Sequence, residues 1–424
     1  MIAISISEEQ VLRNYFLSDN WNSLPYSNKY LFICTDETFE IISRLSRENR
    51  LPFQHEIINI NSSSSISKFS KILIGFLRNF SKSPSTYKRI YEDREKGAIK
   101  LTMFVSRLTC HKLAFIVPSL IHLIRKLLRR SSEQSFYTEY LIDRKIDCVV
   151  SLCITNTNYI FYLLSAKSLG IYTIATTRSW DNLTSHGALM VEPDIFISHS
   201  LFMNKQIQDF QKLSQKCILI NSKVPWYSTK YSKSIYSKED IENIKNKNIL
   251  YACTGAGLFP NELDYIVSLE EKLRNYGFNL TILQHPKSIH EISNKSSHLI
   301  IKVFPYVDSN LNSTLTEYYK FLNSFNIIIG SGSTTLLDAL FLNKSILGYF
   351  PNNDKYWSSI SRYVDHMYHY KVFLSKLNIS YFEEEDELLL FLNSLDINNS
   401  KLDQDASYFL GSNFYQEFNL KQFL

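Results

Sequence analysis

Apolar positions along the chain follow two alternating patterns. Compact runs rich in β-branched and aromatic residues read as buried strands, and longer segments whose apolar residues return every three or four positions read as amphipathic helices. In the first half the strand-like runs are YLFIC (30–34), DCVVSLCI (147–154), IYTIAT (171–176), DIFISHS (194–200) and CILIN (217–221), with helical segments NTNYIFYLLSAKSLG and SLFMNKQIQDFQKL between them. Residues 61–140 are mostly helical in pattern, with breaks rich in Ser and Lys. Residues 225–247 are polar and carry no sustained apolar run, so they are the expected connector. The alternation then restarts with NILYACT (248–254), FNLTILQH (278–285), HLIIKVF (298–304), FNIIIGS (325–331) and SILGYF (345–350), with helices near 259–275, near 313–325 and from about 333.

Strands that alternate with helices predict parallel sheets covered on both faces. The expected fold class is α/β, with two Rossmann-like, doubly wound domains at 1–224 and 248–400, and with 401–424 as a C-terminal helix able to pack back on the first domain. Ligands of such sheets bind beyond the carboxyl ends of the strands, so a cleft between the domains is the expected site.

Composition narrows this picture only a little. The chain has 424 residues, 45% of them hydrophobic, which is enough for two cores. A net charge of +5 from 46 basic and 41 acidic residues gives no reason to expect a nucleic-acid partner. Six cysteines, Cys34, Cys110, Cys148, Cys153, Cys217 and Cys253, form no CxxC pair and sit mostly in apolar runs, so free buried thiols are expected. The start, MIAISISEEQ, lacks the basic residues and long apolar stretch of an export signal, so a cytoplasmic protein is expected. The longest apolar region, KLAFIVPSLIHLIRKLLRR (112–130), is broken by Pro118 and His122 and falls short of a membrane span. It reads either as a core helix with a solvated basic end or as a surface for peripheral contact with an anionic membrane.

The candidate chemistry begins at GSGSTTLLDAL (330–340), directly after the apolar run NIII, in a chain with only 11 glycines. A turn of Gly330, Ser331, Gly332 and Ser333 between a strand and a helix suits a phosphate: glycine lets backbone approach closely, and the first helical N–H groups lack partners. Ser333 or Thr334 can cap the helix, and the remaining hydroxyls, with Thr335, can bond phosphate oxygens. Asp338 lies one turn below Thr334 on the same face, where its carboxylate can accept from two vicinal ribose hydroxyls. The plainer alternative is a helix cap with a solvated first-turn acid.

Two neighbours share this grammar. ILYACTGAGLFPNEL (249–263) is a strand, then Gly255 and Gly257, then a helix with Pro260 in its first turn. LTILQHPKS (280–288) ends a strand with His285 and Pro286, a histidine able to donate to a phosphate on a backbone that proline restricts.

The stretch GSGSTTLLDALFLNKSILGYF resembles the C-terminal-domain signature of GT-B glycosyltransferases and their relatives, among them muramyl-type N-acetylglucosaminyltransferases, CDP-glycerol glycerophosphotransferases and UDP-N-acetylglucosamine 2-epimerases. The resemblance covers residues 248–350; the N-terminal half shares only the architecture. It implies that 248–400 binds a nucleotide-sugar donor, with Gly255, Gly257, His285, Pro286, Ser331, Gly332, Ser333, Thr334 and Thr335 at the nucleotide and Asp338 on the ribose. The His-Pro pair is similar to the motif of bacterial sialyltransferases and polysialyltransferases that binds the phosphate of CMP, and a like pair occurs in glycerophosphotransferase-like proteins. A CMP-, UDP- or GDP-linked donor is therefore open. The epimerase signature is closer to Gly-Gly-x-x-Glu-Glu than to the Thr-Thr-Leu-Leu-Asp found here.

On the acceptor side, TIATTRSWDNLTSHGALMVEPDIFISHS (173–200) sets polar and aromatic residues after a strand. An inverting transfer needs a base for the acceptor hydroxyl, and Asp181 is the first candidate, His186 the second. Arg178 can hold a carboxylate or phosphate, Trp180 can stack on a sugar, and Asn182 completes the acceptor set. The plainer alternative packs Trp180 on the domain and leaves Asp181 in a turn. No Asp-x-Asp motif stands where a metal-dependent GT-A enzyme uses one, so no obligatory metal is expected. With a bacterial look to its Asn, Ile, Lys and Ser usage, the chain is expected to move a sugar to a glycan or lipid-linked acceptor in surface polysaccharide assembly (capsule, O-antigen or lipopolysaccharide). An alditol-phosphate transferase, a 2-epimerase and a catalytically silent scaffold remain alternatives.

Overall fold

The computed structural model of the chain describes residues 1–17, 24–59, 67–79, 101, 117–128, 132–156, 159–186, 188–211, 213–224, 226–227, 247–254, 259, 262–286, 299–351, 367–394, 407–411, 420–422 and 424. They form two compact units. One comprises Met1–Trp226, Ser309–Asn312 and Ser407–Leu424; the other comprises Tyr227–Asp308 and Ser313–Ala406.

The first unit is built on seven parallel strands: β1 (Ile2–Ile6), β2 (Tyr30–Cys34), β3 (His55–Asn59), β4 (Cys148–Ser151), β5 (Tyr172–Ala175), β6 (Ile195–Ser198) and β7 (Ile218–Asn221), in the order β3-β2-β1-β4-β5-β6-β7. All five residues of β1 are buried, and β1 pairs with β2 through Ile4↔Phe32 and with β4 through Ile4↔Val150. The pattern reading above leaves out β1 and β3. IAISIS does alternate isoleucine with the small residues Ala3, Ser5 and Ser7, and such a strand sits at the centre of a sheet covered on both faces. Helices Ile160–Leu169 and Leu201–Gln206 flank the sheet, and the first ends at Gly170 with φ 72°, where Ile171 N–H donates to Ala166 C=O at 2.9 Å.

The second unit has six parallel strands: β8 (Asn248–Ala252), β9 (Asn279–Gln284), β10 (Ile300–Val303), β11 (Ile327–Gly330), β12 (Ser345–Tyr349) and β13 (Tyr381–Phe382), in the order β10-β9-β8-β11-β12-β13. Helix Glu262–Asn275 packs Ile266, Leu269 and Leu273 on one face with Tyr251, Ile282 and Ile329 of the sheet. Each sheet is all-parallel and doubly wound, which is the expected α/β class.

Two smaller readings change. Pro118 falls in the first turn of helix Val117–Leu128, where a missing N–H is tolerated, so it starts that helix instead of breaking it. Arg125 on the same helix is 7% exposed and donates through Nε and Nη2 to the Leu189 carbonyl at 2.9 and 2.6 Å, so its charge is not offered to a membrane surface. No described helix is long and apolar enough to cross a membrane. The five described cysteines are free thiols, and burial pushes Cys34 and Cys148 up to about 12; Cys110 lies outside the described residues.

Candidate functional site

In the second unit the chain leaves β8 and β11 in opposite directions: β9 and β10 are laid on one side, β12 and β13 on the other. The carboxyl ends of such a neighbouring pair are where open α/β sheets bind ligands. Thr254 follows β8 there, and Ser331 to Thr334 follow β11, ahead of helix Thr335–Phe341.

The residues of this turn divide between core and surface. Ser331 is completely buried; its hydroxyl donates to the Tyr349 carbonyl and lies 2.9 Å from the Tyr251 hydroxyl. It ties the ends of β8, β11 and β12 together, and the expectation that it bonds a phosphate is corrected on that ground. Gly332 has φ 109°, and a Cβ built on it would lie 3.1 Å from the Tyr370 ring, so no other residue fits without strain. Ser333 Oγ accepts from Thr335 N–H at 3.3 Å and is the residue that caps the turn; Thr334 makes no side-chain cap and is exposed.

Asp338 is half-buried, and both of its oxygens are engaged. Oδ1 accepts from the Tyr227 hydroxyl at 2.8 Å, and Oδ2 from the Tyr318 hydroxyl at 2.7 Å. Neither tyrosine stands out in the sequence, since one lies in the expected connector and the other in a helix with no motif. His285 and Pro286 stand half-buried at the end of β9. Gly255 and Gly257 lie outside the described residues.

Beneath this edge lies a buried acid that the motif reading missed. Glu262, 9% exposed at the first turn of its helix, accepts from Thr254 N–H at 2.9 and 3.1 Å and from the Thr254 hydroxyl at 3.0 Å, and it meets the Tyr251 hydroxyl at 3.3 Å. Burial pushes its carboxyl up to about 7, against the opposing pull of the Thr254 and Tyr251 donors. A glutamate two residues after Pro260 at the start of a predicted helix was the available signal.

In the first unit the corresponding pair is β1 and β4. Arg178, after β5, forms an ion pair with Glu8, just beyond β1, with side chains 27% and 15% exposed. Burial strips solvent from the Arg178 charge, and Glu8 and Asp181 are the carboxylates near enough to compensate. Arg178 is thus bound to Glu8, a residue that had signalled only the absence of an export sequence. Asp181 remains half-buried; its oxygens accept from Asn182 Nδ2 at 3.3 Å and from Ser185 Oγ at 3.2 Å. His186 is half-buried one turn on, at the end of helix Asn182–Ser185.

Trp180 and Asn182 do not present themselves to an acceptor. Trp180 is 8% exposed and packs against Phe202 and Phe409 at ring separations of 5.7 and 6.0 Å; Asn182 is 2% exposed. The Trp ring is apolar enough to anchor the helix Ser407–Leu410, which explains an otherwise odd tryptophan in a polar loop. Close by, His199 at the end of β6 is fully buried, with Nδ1 3.4 Å from the Ser222 carbonyl and Nε2 3.1 Å from both the Tyr15 and Thr176 hydroxyls. Burial pushes it down to about 4, so it stays neutral near pH 7. Among the described residues no group of three or more His, Cys, Asp or Glu side chains is placed to hold a metal ion.

No protein-family model matches this chain, and no curated protein matches it either. Solved structures do. A protein assigned as a UDP-N-acetylglucosamine 2-epimerase from Listeria monocytogenes aligns over 96% of this chain and 91% of its own, with TM-score 0.52 at 8% identity. The UDP-N-acetylglucosamine 2-epimerase of Neisseria meningitidis, solved bound to UDP-N-acetylglucosamine, aligns over 97% of this chain and 96% of its own, with TM-score 0.52 at 11% identity. These likenesses show that the chain has the GT-B-type fold of two Rossmann-like domains.

Proposed function

We propose that the chain is an enzyme that binds a nucleotide-activated sugar through the carboxyl edge of its second sheet. The observation that carries this reading is Asp338, a half-buried carboxylate held at both oxygens, one helical turn beyond a Ser/Gly turn at the strand switch point. A carboxylate so placed can accept from two vicinal hydroxyls of a ribose, while Ser333, Thr334, Thr335 and the backbone of the turn serve its phosphates, with His285 as a further donor. The similarity to a protein solved with UDP-N-acetylglucosamine supports the substrate class.

Within that class the preferred reading is a glycosyltransferase that moves the sugar to a glycan or lipid-linked acceptor. Asp181 acts as base for the acceptor hydroxyl, with His186 as the alternative, and Arg178, held by Glu8, serves an anionic group of the acceptor. No metal is required, so activity is expected to persist in EDTA. A second reading, a 2-epimerase, is favoured by the assignment of both similar structures.

A thermal-shift series with UDP, GDP, CDP, CMP and dTDP tests the class. A ligand at 100 times its dissociation constant stabilises by about 2.7 kcal/mol, and a flat response to all five sinks the reading. Incubation with UDP-N-acetylglucosamine then separates the two enzymes. Conversion to the 2-epimer without acceptor identifies the epimerase, and nucleotide release that depends on an added acceptor identifies the transferase.

A further inference from the structure

We propose that Tyr318 and Tyr227 are positioning residues that set the plane of the Asp338 carboxylate for a vicinal diol, and so make the site selective for ribose over 2′-deoxyribose. The inference rests on the reading that Asp338 faces a nucleotide ribose. A carboxylate turns easily about its Cβ–Cγ bond, and Asp338 stands half-buried on a seven-residue helix. Here two rings that are themselves held in place approach its two oxygens separately. Tyr318 is 6% exposed on helix Leu315–Asn323, and its ring packs against Phe304 and Tyr319 at 5.7 and 5.4 Å. Its hydroxyl lies 2.7 Å from Oδ2 and also 3.3 Å from the Thr335 hydroxyl, at the start of the helix that carries Asp338. Tyr227 stands 111 positions from Asp338 in sequence; its ring stacks on Phe341 of that same helix at 4.8 Å and 21°, which brings its hydroxyl 2.8 Å from Oδ1.

Each carboxylate oxygen can accept two hydrogen bonds, so one phenol on each orients the group without using its whole capacity. A ligand that offers two adjacent hydroxyls matches such an acceptor, and one that lacks the 2′-hydroxyl leaves an oxygen without its ligand donor.

Titration calorimetry on the full chain, with UDP and CMP and their 2′-deoxy counterparts, tests this in wild type, Tyr318→Phe and Tyr227→Phe. Wild type is expected to prefer the ribonucleotide about tenfold, the worth of one hydrogen bond to a charged group. Each variant is expected to weaken the ribonucleotide roughly five- to tenfold and the 2′-deoxynucleotide less than about twofold, so that the preference collapses. If Tyr318→Phe does not fold, Tyr227→Phe carries the comparison alone. A preference that survives in the variants, or an equal loss for both sugars, overturns the proposal. A wild type that binds both sugars equally removes Asp338 from the ribose while nucleotide binding stands. A wild type that binds none of the four, with a flat thermal-shift response to all five nucleotides, overturns the proposed function itself.

Discussion

In the first unit the side chains that follow β1 and β5 close on each other: Glu8 meets Arg178, and close by the buried His199 is ringed by Tyr15, Thr176 and Trp226. In the second unit the side chains that follow β8 and β11 turn downward, with Glu262, Tyr251 and Ser331 linked beneath the turn, while Ser333 and Thr334 stay nearer the surface. The strand plan is the same, since in each sheet the first strand along the chain lies at the switch point, beside the strand where the winding turns to the other side. What differs is the sign of the buried ionisable group. A base that must stay neutral supports one edge, and an acid that is half-titrated near pH 7 supports the other.

That difference gives the largest expected effect. Glu262 holds its proton to about 7 when folded and to about 4.5 otherwise, so the unfolded chain releases it first and stability falls as pH rises from 4.5 to 7. His199 is charged below about 4 when folded and below about 6.5 otherwise, so the unfolded chain takes up the proton first and stability falls as pH drops from 6.5 to 4. Each contribution is on the order of 3 kcal/mol across its window. Over their overlap the slopes oppose. Melting followed between pH 4.5 and 7 should therefore show Glu262→Gln gaining stability with rising pH and His199→Gln losing it. Slopes of one sign in both variants break the comparison.

Arg178→Ala comes next. It leaves Glu8 partly buried without its cation, and about 2 kcal/mol of stability should be lost, at the low end for a broken buried pair because both groups keep some solvent. Denaturant unfolding measures that loss. Nucleotide affinity, which the proposed site assigns to the second unit, should stay within about twofold; a tenfold fall would mean that the two edges do not work separately.

The contrast between the edges also marks what could be read from the chain. Backbone motifs were legible: β11 with its Ser/Gly turn, β9 with His-Pro and β5 with its polar loop all fall where the alternation of runs puts them, because strand periodicity and glycine placement are local properties. Side-chain partners were not. Trp180 looks like a sugar platform in SWDNLTS, and its contacts with Phe202 and with Phe409, more than two hundred positions on, make it core. Ser331 and Ser333 are equivalent in GSGS, and the positive-φ turn at Gly332 between them sends one to the Tyr349 carbonyl and leaves the other nearer the surface. Glu8, Tyr227 and Tyr318 carry no motif at all, and their partners come from distant strands and helices.

Gly332→Ala tests the backbone half of this distinction. At φ 109° an added Cβ is strained, and at 3.1 Å from Tyr370 it also crowds a ring, so a loss of about 1–3 kcal/mol is expected, with weakened nucleotide binding as the turn shifts.

Ser331→Ala tests the side-chain half and should be the mildest change. It removes a hydroxyl whose donor and acceptor bonds both run inward, to the Tyr349 carbonyl and the Tyr251 hydroxyl, and about 1 kcal/mol of stability should go with it. The Tyr251 proton, which can serve only one acceptor at a time, is then left to Glu262 at 3.3 Å, so the Glu262 carboxyl should titrate at a lower pH in the variant and the pH slope of unit-two melting should shift the same way. Nucleotide affinity should hold within about twofold, because the hydroxyl faces the core. A large loss of affinity with stability intact would return Ser331 to the phosphate site.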